Sequence, residues 1–306
     1  MSFSSPALLN RLAEARGILG WQGRGPRSAC WHASDGVRLH YLDWPGAPHV
    51  ALLLHGGRLT AQTFDLLALA LGPTIRCIAL DLRGHGESSW SDDYSIPRMA
   101  SDVQELVAAL GLQRLHLVGM SLGGCVAGHA ALAIGPRLAS LTLIDVGPQV
   151  NFEATARMRT FLDAVQPARH IEDVVRQALA VSPATDPDLM LYRYKALLRR
   201  TAAGYHWKAD TRRPTDFEHI LRALARLWDI APLIDCHTLV VRGGRSRVLS
   251  TAQAISFAKR FSRGEYRTLP MAGHNVQEDA PRELAERLHL LFAEAEGTSP
   301  KLGGIR

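Results

Sequence analysis

The sequence predicts an α/β protein: a mostly parallel, doubly wound sheet with a helical block inserted into it. Three observations carry this. Short apolar runs recur at residues 50–54, 75–80, 115–118 and 141–144, and shorter strand patterns resume at 238–241 and 266–269. Strands that are apolar on both faces belong to a sheet covered on both sides. Helical patterns lie between the runs, at 62–71, 96–110 and 122–134, and a long one closes the chain at 281–296. Strand–helix alternation of this kind argues for parallel pairing. Third, the alternation stops between 149 and 233. Helical patterns at 152–165, 171–181, 188–200 and 217–228 follow one another there without a strand, punctuated by Pro167, Pro183, Pro187 and Pro214.

The chain has 306 residues, 47% of them apolar, enough for one large α/β core with an insertion. The expected division is an N-terminal arm at 1–27, a core at 28–148 and 233–296, a helical cap or lid at 149–232 and a tail at 297–306. In the arm, residues 5–19 read as an amphipathic helix with Leu8, Leu12, Ala15 and Leu19 on one side, packed on the body or on a second subunit of a homo-oligomer; a disordered arm is the alternative. Residues 31–43 alternate around Ser34-Asp35-Gly36, the pattern of a hairpin.

The net charge is +6, but no block of consecutive basic residues exists, so a nucleic-acid partner is not expected. The four cysteines, Cys30, Cys77, Cys125 and Cys236, have neither metal nor redox spacing and read as free thiols of a reducing compartment. Asn10, Arg11, Glu14 and Arg16 interrupt the N-terminal apolar stretch, and no run approaches 18 apolar residues. The expectation is a cytoplasmic protein with no membrane partner.

Residues 115–124 read LHLVGMSLGG, an apolar run followed by Gly119-Met120-Ser121-Leu122-Gly123 and then by small residues. This is G-x-S-x-G after a strand and before a helix. A serine at the tip of such a turn is lifted clear of the sheet in a strained conformation, and side chains two before and two after it would collide. The helix N-terminus behind it offers N–H groups and a partial positive charge to an anion.

His55-Gly56-Gly57, residues 81–88 (DLRGHGES), Gly119 to Gly124 and Gly273-His274 follow in that order at the ends of successive strands. Together they resemble the α/β-hydrolase family with a helical cap, over about residues 28–296. The resemblance implies a Ser–His–acid triad, an oxyanion hole and a pocket between core and cap. Carried over, Ser121 is the nucleophile, His274 the general base and later acid, and the backbone N–H groups of Gly57 and Leu122 form the oxyanion hole. His55 and His85 match positions that shape loops, and Asp81 and Arg83 are expected to lock theirs.

The acid departs from the family pattern. The position where the family usually carries an aspartate is Arg247, which cannot orient a histidine. Asp235 lies at the wrong end of its strand, and Glu278 and Asp279 follow His274 closely, at the start of the last helix. Asp145 ends the strand before the insertion, on the catalytic edge, and is taken as the acid; a site with no working acid is the alternative.

The insertion carries Phe161, Tyr192, Tyr194, Tyr205, Trp207 and Trp228, which favours an apolar or aromatic acyl compound over a sugar or nucleotide. No phosphate loop or metal-ligand spacing is present, so neither cofactor nor metal is expected. The function expected is hydrolysis of an ester, lactone or activated C–C bond of a small molecule. The alternatives are a degenerate member that binds without turnover, and an acyltransferase or perhydrolase on the same residues.

Overall fold

The computed structural model describes residues 6–19, 25–46, 49–151, 153, 168–183, 185–212 and 217–298. Its centre is an eight-stranded sheet in the order β1-β2-β4-β3-β5-β6-β9-β10. The strands are β1 (Arg27–His32), β2 (Arg38–Trp44), β3 (Val50–Leu54), β4 (Arg76–Leu80), β5 (Leu115–Met120), β6 (Leu138–Ile144), β9 (His237–Gly243) and β10 (Gly264–Leu269). β1 and β2 form the expected hairpin. β2 runs against both its neighbours, and from β4 to β10 every pairing is parallel.

The apolar runs alternate between two cores, which is why they are continuous. Ala51 and Leu53 of β3 face one layer, while Val50, Leu52 and Leu54 face the other. The first layer holds α1 (Pro6–Ala15), α2 (Asp65–Leu71), the short α9 (Val276–Asp279) and a long C-terminal helix, α10 (Pro281–Ala295). The second holds α3 (Ile96–Ala109), α4 (Leu122–Ile134) and α8 (Thr251–Ala258). Both faces of the sheet are thus covered by helices, as a parallel sheet requires.

Helix α1 packs on the body, with Leu8, Leu12 and Ala13 buried. Ala15 and Leu19, expected on the same face, are exposed, and Ile18 is buried instead. The helix ends at Ala15, and Gly17 turns the chain with φ +67°. The helical period therefore no longer sets the face beyond it.

Between β6 and β9 lie α5 (Ile171–Val181), α6 (Pro187–Leu197) and α7 (Phe217–Ile230). The expectation that this insertion contains no strand is corrected. A two-stranded sheet, β7 (Leu198–Thr201) with β8 (Gly204–Trp207), follows α6 directly. Its turn is closed locally, by Thr201 Oγ1 donating to Gly204 O at 3.0 Å and accepting from Ala203 N at 3.2 Å. Gly204 has φ +123°, and a Cβ there would lie 2.7 Å from Ala168 O, so the turn depends on glycine. Helix α7 packs on α4 within the second core layer, with Ala223, Leu224 and Leu227 buried. The expected helix at 152–165, Phe161 and most of the tail lie outside the described residues. Among the described residues no helix is long and apolar enough to cross a membrane.

Candidate active site

Strand β5 carries Ser121 to the C-terminal edge of the sheet, and α4 starts at the next residue. Ser121 has φ 51° and ψ −115°. Its N–H donates to Ile144 O at 3.0 Å and its carbonyl accepts from Cys125 N at 3.0 Å, which holds the strained turn. The flanking glycines are required sterically. A Cβ on Gly119 would lie 2.4 Å from Gly123 O, and one on Gly123 would lie 2.1 Å from Leu54 O. Among the described residues only Arg58, Ser121 and Asp145 have positive φ without being glycine, and all three lie just beyond the C-terminal ends of sheet strands. Strain of this kind, at about 1–3 kcal/mol each, gathers where a site over-determines its backbone.

Asp145 follows β6 directly and is fully buried. Its Oδ2 lies 2.6 Å from His274 Nδ1. A carboxylate oxygen accepts, so Nδ1 carries the proton and Nε2 keeps its lone pair. The same Oδ2 accepts from Ser246 Oγ at 2.5 Å, and Oδ1 accepts from Gly243 N at 3.2 Å. Ser246 is held in turn, its Oγ accepting from Val248 N at 3.1 Å. Arg242 braces this loop from inside by donating to the carbonyls of Leu249 (2.6 Å), Ser246 (3.0 Å) and Gly244 (3.3 Å).

Arg247, at the family's usual acid position, is exposed. Asp145, not a residue of the Arg247 loop, meets the histidine. Asp279 accepts from Gly273 N at 2.8 Å and so fixes the residue before His274. Glu278 is buried and takes Thr63 and Arg193 as partners. Among the described residues no hydrogen bond joins Ser121 to His274; both side chains are partly exposed.

His55 organises the strand end opposite the serine. Its Nε2 accepts from Leu82 N at 3.0 Å, so Nδ1 must be the protonated nitrogen, and it donates to Gly56 O at 2.7 Å. Leu59 N donates to the same oxygen at 3.1 Å. The Gly56–Gly57 peptide is planar, so fixing its carbonyl fixes the Gly57 N–H on the opposite side. Gly57 and Leu122 are neighbours: a Cβ on Gly57 would lie 3.9 Å from Leu122 Cδ2. Burial, followed by the nearby His85, pushes the His55 pKa down to about 4, so the ring is neutral.

The next loop is locked around two buried charges. Asp81 accepts from Ala61 N (2.6 Å), Glu87 N (2.9 Å) and His40 Nδ1 (2.7 Å). Burial alone would raise its pKa, but the His40 hydrogen bond and charge outweigh this and hold it below the ordinary value. Arg83 is fully buried and binds both oxygens of Asp102, at 2.6 and 2.7 Å, and Asp35 at 2.9 Å.

Sequence reasoning missed Ser246 and Arg242. The signal for Ser246 was a hydroxyl beside the departing Arg247; Arg242 looked like any strand-terminal cation. Of the aromatic residues in the insertion, Tyr192 and Tyr194 are buried in packing, and Trp228 is 40% exposed.

A strand-end serine in a strained turn and a histidine bonded to a buried aspartate agree with the comparison to known proteins. A family model described as the alpha/beta hydrolase family matches residues 51–287. The chain belongs to the α/β-hydrolase family. It is 29% identical over 292 residues to the esterase Rv0045c of Mycobacterium tuberculosis, covering 92% of this chain and 93% of that one. A crystal structure of that esterase matches with a TM-score of 0.73 over 92% of this chain and 95% of its own. The 3-hydroxybutyrate-oligomer hydrolase of Cupriavidus necator is 28% identical over 269 residues, 81% of this chain and 90% of that one. An α/β hydrolase from Novosphingobium aromaticivorans matches with a TM-score of 0.69 at 27% identity, over 87% of this chain and all of that one. This α/β hydrolase is thus similar along most of its length to enzymes that hydrolyse esters.

Proposed function

We propose that this α/β hydrolase is a serine esterase acting on a small, largely apolar acyl substrate, with Ser121 as nucleophile, His274 as base and Asp145 as acid. The observation that carries the reading is the 2.6 Å contact between Asp145 Oδ2 and His274 Nδ1. It leaves Nε2 as a base and supplies the charge that steadies the imidazolium. Ser121 Oγ attacks the ester carbonyl while its proton passes to His274 Nε2. The oxyanion is received by the N–H groups of Gly57 and Leu122, a contribution of about 3 kcal/mol for each donor in such sites. The imidazolium then protonates the departing alkoxide, leaving an acyl-serine. Water repeats the sequence through the same histidine and releases the acid.

An ester is favoured over a lactone or an activated C–C bond because the relatives similar over most of the chain include an esterase and a 3-hydroxybutyrate-oligomer hydrolase. The 149–232 segment is proposed as the cap that sets substrate choice, since it is inserted at the sheet edge that carries Ser121. Four free cysteines support a reducing, cytoplasmic setting.

The test is labelling by a fluorophosphonate together with turnover of a short activated ester. The wild-type chain should label at Ser121 within minutes, and Ser121→Ala should neither label nor turn over while keeping its circular dichroism. Retained turnover in Ser121→Ala, or a folded wild-type chain that does not label, refutes the assignment.

A further inference from the structure

The opposite edge of the sheet holds a second group of chemically competent side chains. His116 is the second residue of β5, and His49 immediately precedes β3, the neighbouring strand. Glu296 caps the C-terminal end of α10. No two of the three are close in sequence, so no ligand spacing marks them there. Their ligand atoms all lie within 4.8 Å of one another. Ser121 lies five positions after His116 along β5, about 16 Å at strand rise.

We propose that His49, His116 and Glu296 bind a divalent transition cation, zinc foremost, with water as the fourth ligand. The first argument is geometric. His116 Nε2 and Glu296 Oε1 are 3.5 Å apart. Ligand atoms on a tetrahedral zinc, with bonds of about 2.0–2.2 Å, stand about 3.3 Å from each other. The carboxylate and the buried imidazole are thus already near their positions. The exposed side chain of His49 has the freedom to close the rest.

The second argument is the preorganisation of His116. The residue is 1% exposed, and its ring stacks on Phe292 with centroids 3.8 Å apart and planes 18° apart. Nδ1 is bonded to Ser140 Oγ at 2.8 Å. A ring nitrogen tied to an oxygen behind it, with the other turned toward a carboxylate and a second imidazole, is the arrangement by which metal-ligating histidines are oriented. The two imidazole donors suit zinc, copper and nickel better than calcium or magnesium.

Arg114 sets the strength. Its Nε lies 2.9 Å from both oxygens of Glu296, and its Nη2 donates to Ala295 O at 2.7 Å. It aims the carboxylate, keeps Oε2 when Oε1 turns to the cation, and repels the cation's charge.

The experiment uses the full chain without a histidine tag, stripped with chelator, and zinc competed against a chromophoric chelator. The wild type should bind one zinc ion with micromolar affinity, and cobalt in its place should give the visible absorption of a four-coordinate ion. His49→Ala and Glu296→Gln, both at the surface end of the group, should each weaken binding at least about tenfold with unchanged circular dichroism. His274→Ala should bind as the wild type does. A wild type that binds no zinc at micromolar concentration overturns the proposal. So does a His49→Ala chain that binds as tightly as wild type, or a His274→Ala chain that loses the ion.

Discussion

Asp145 occupies a backbone conformation that few side chains accept, φ 49°, and from it receives three donors: Gly243 N–H, Ser246 O–H and His274 Nδ1–H. Asparagine at this position would present an amide N–H₂ to groups that themselves donate, and the histidine would turn to the wrong tautomer. Asp145→Asn should therefore lower kcat by about 10⁴-fold with little change in KM. Ser246→Ala removes one donor while leaving the Asp145–His274 hydrogen bond and should cost about tenfold in kcat, within the range of one charge-assisted hydrogen bond. Arg247→Ala touches an exposed side chain and should change kcat by less than about twofold. Asp279→Asn keeps an acceptor for Gly273 N and should stay within a few fold. Steady-state kinetics on one activated ester ranks all four. An Asp145→Asn enzyme more active than Ser246→Ala would remove Asp145 from its proposed role.

At the scale of elements, what the sequence made legible follows from how local the cause is. Strand β3 and helix α4 begin and end at the residues expected, because an unbroken apolar run, or a small-residue helix opened by a glycine turn, needs no distant partner to define it. Most of β7 falls inside the helix expected over 188–200, because Leu198, Arg199 and Arg200 continue a helical pattern, whereas the sequence marks no element at 204–207. The strand is imposed by pairing with Tyr205 and Trp207 across a turn without a strong turn signal. In the site, the serine turn and the Gly-His loop were visible as motifs. The Ser246 contact was not, because it joins residues 101 positions apart.

The same non-local logic governs how α6 is tied to the core. Tyr192 donates to the buried Asp65, and Arg193 pairs with Glu278, which also accepts from Thr63 at 2.7 Å. Arg193→Met would leave Glu278 buried without its cation and should cost about 3 kcal/mol. The double variant with Glu278→Gln should recover part of that loss, which urea denaturation of the two single variants and the double would measure.

For the molecule as a whole, buried ionisable groups set opposite limits on stability. His55 and His116 are held neutral by burial, with pKa values pushed down to about 4 and about 3 from an ordinary 6.5. Below pH 6.5 the unfolded chain takes up protons that these native rings refuse. Stability therefore falls as pH drops through that window, and the loss levels off below the native values. Asp65 acts in the other direction. Burial pushes its pKa up to about 8 from 3.8, with the Tyr192 hydrogen bond only partly offsetting the burial. The native chain keeps a proton that the unfolded chain gives up, so the contribution of Asp65 is full below pH 3.8 and is lost as pH rises toward 8. The limiting slope for one such group is about 1.4 kcal/mol per pH unit. Asp65→Asn keeps the shape and the acceptor for Tyr192 but cannot ionise. It should match the wild type in Tm near pH 4, exceed it increasingly up to pH 8, and hold a constant lead above that. Melting curves across this range test the assignment; parallel Tm–pH profiles for the two proteins would mean that Asp65 is already ionised in the native fold at neutral pH.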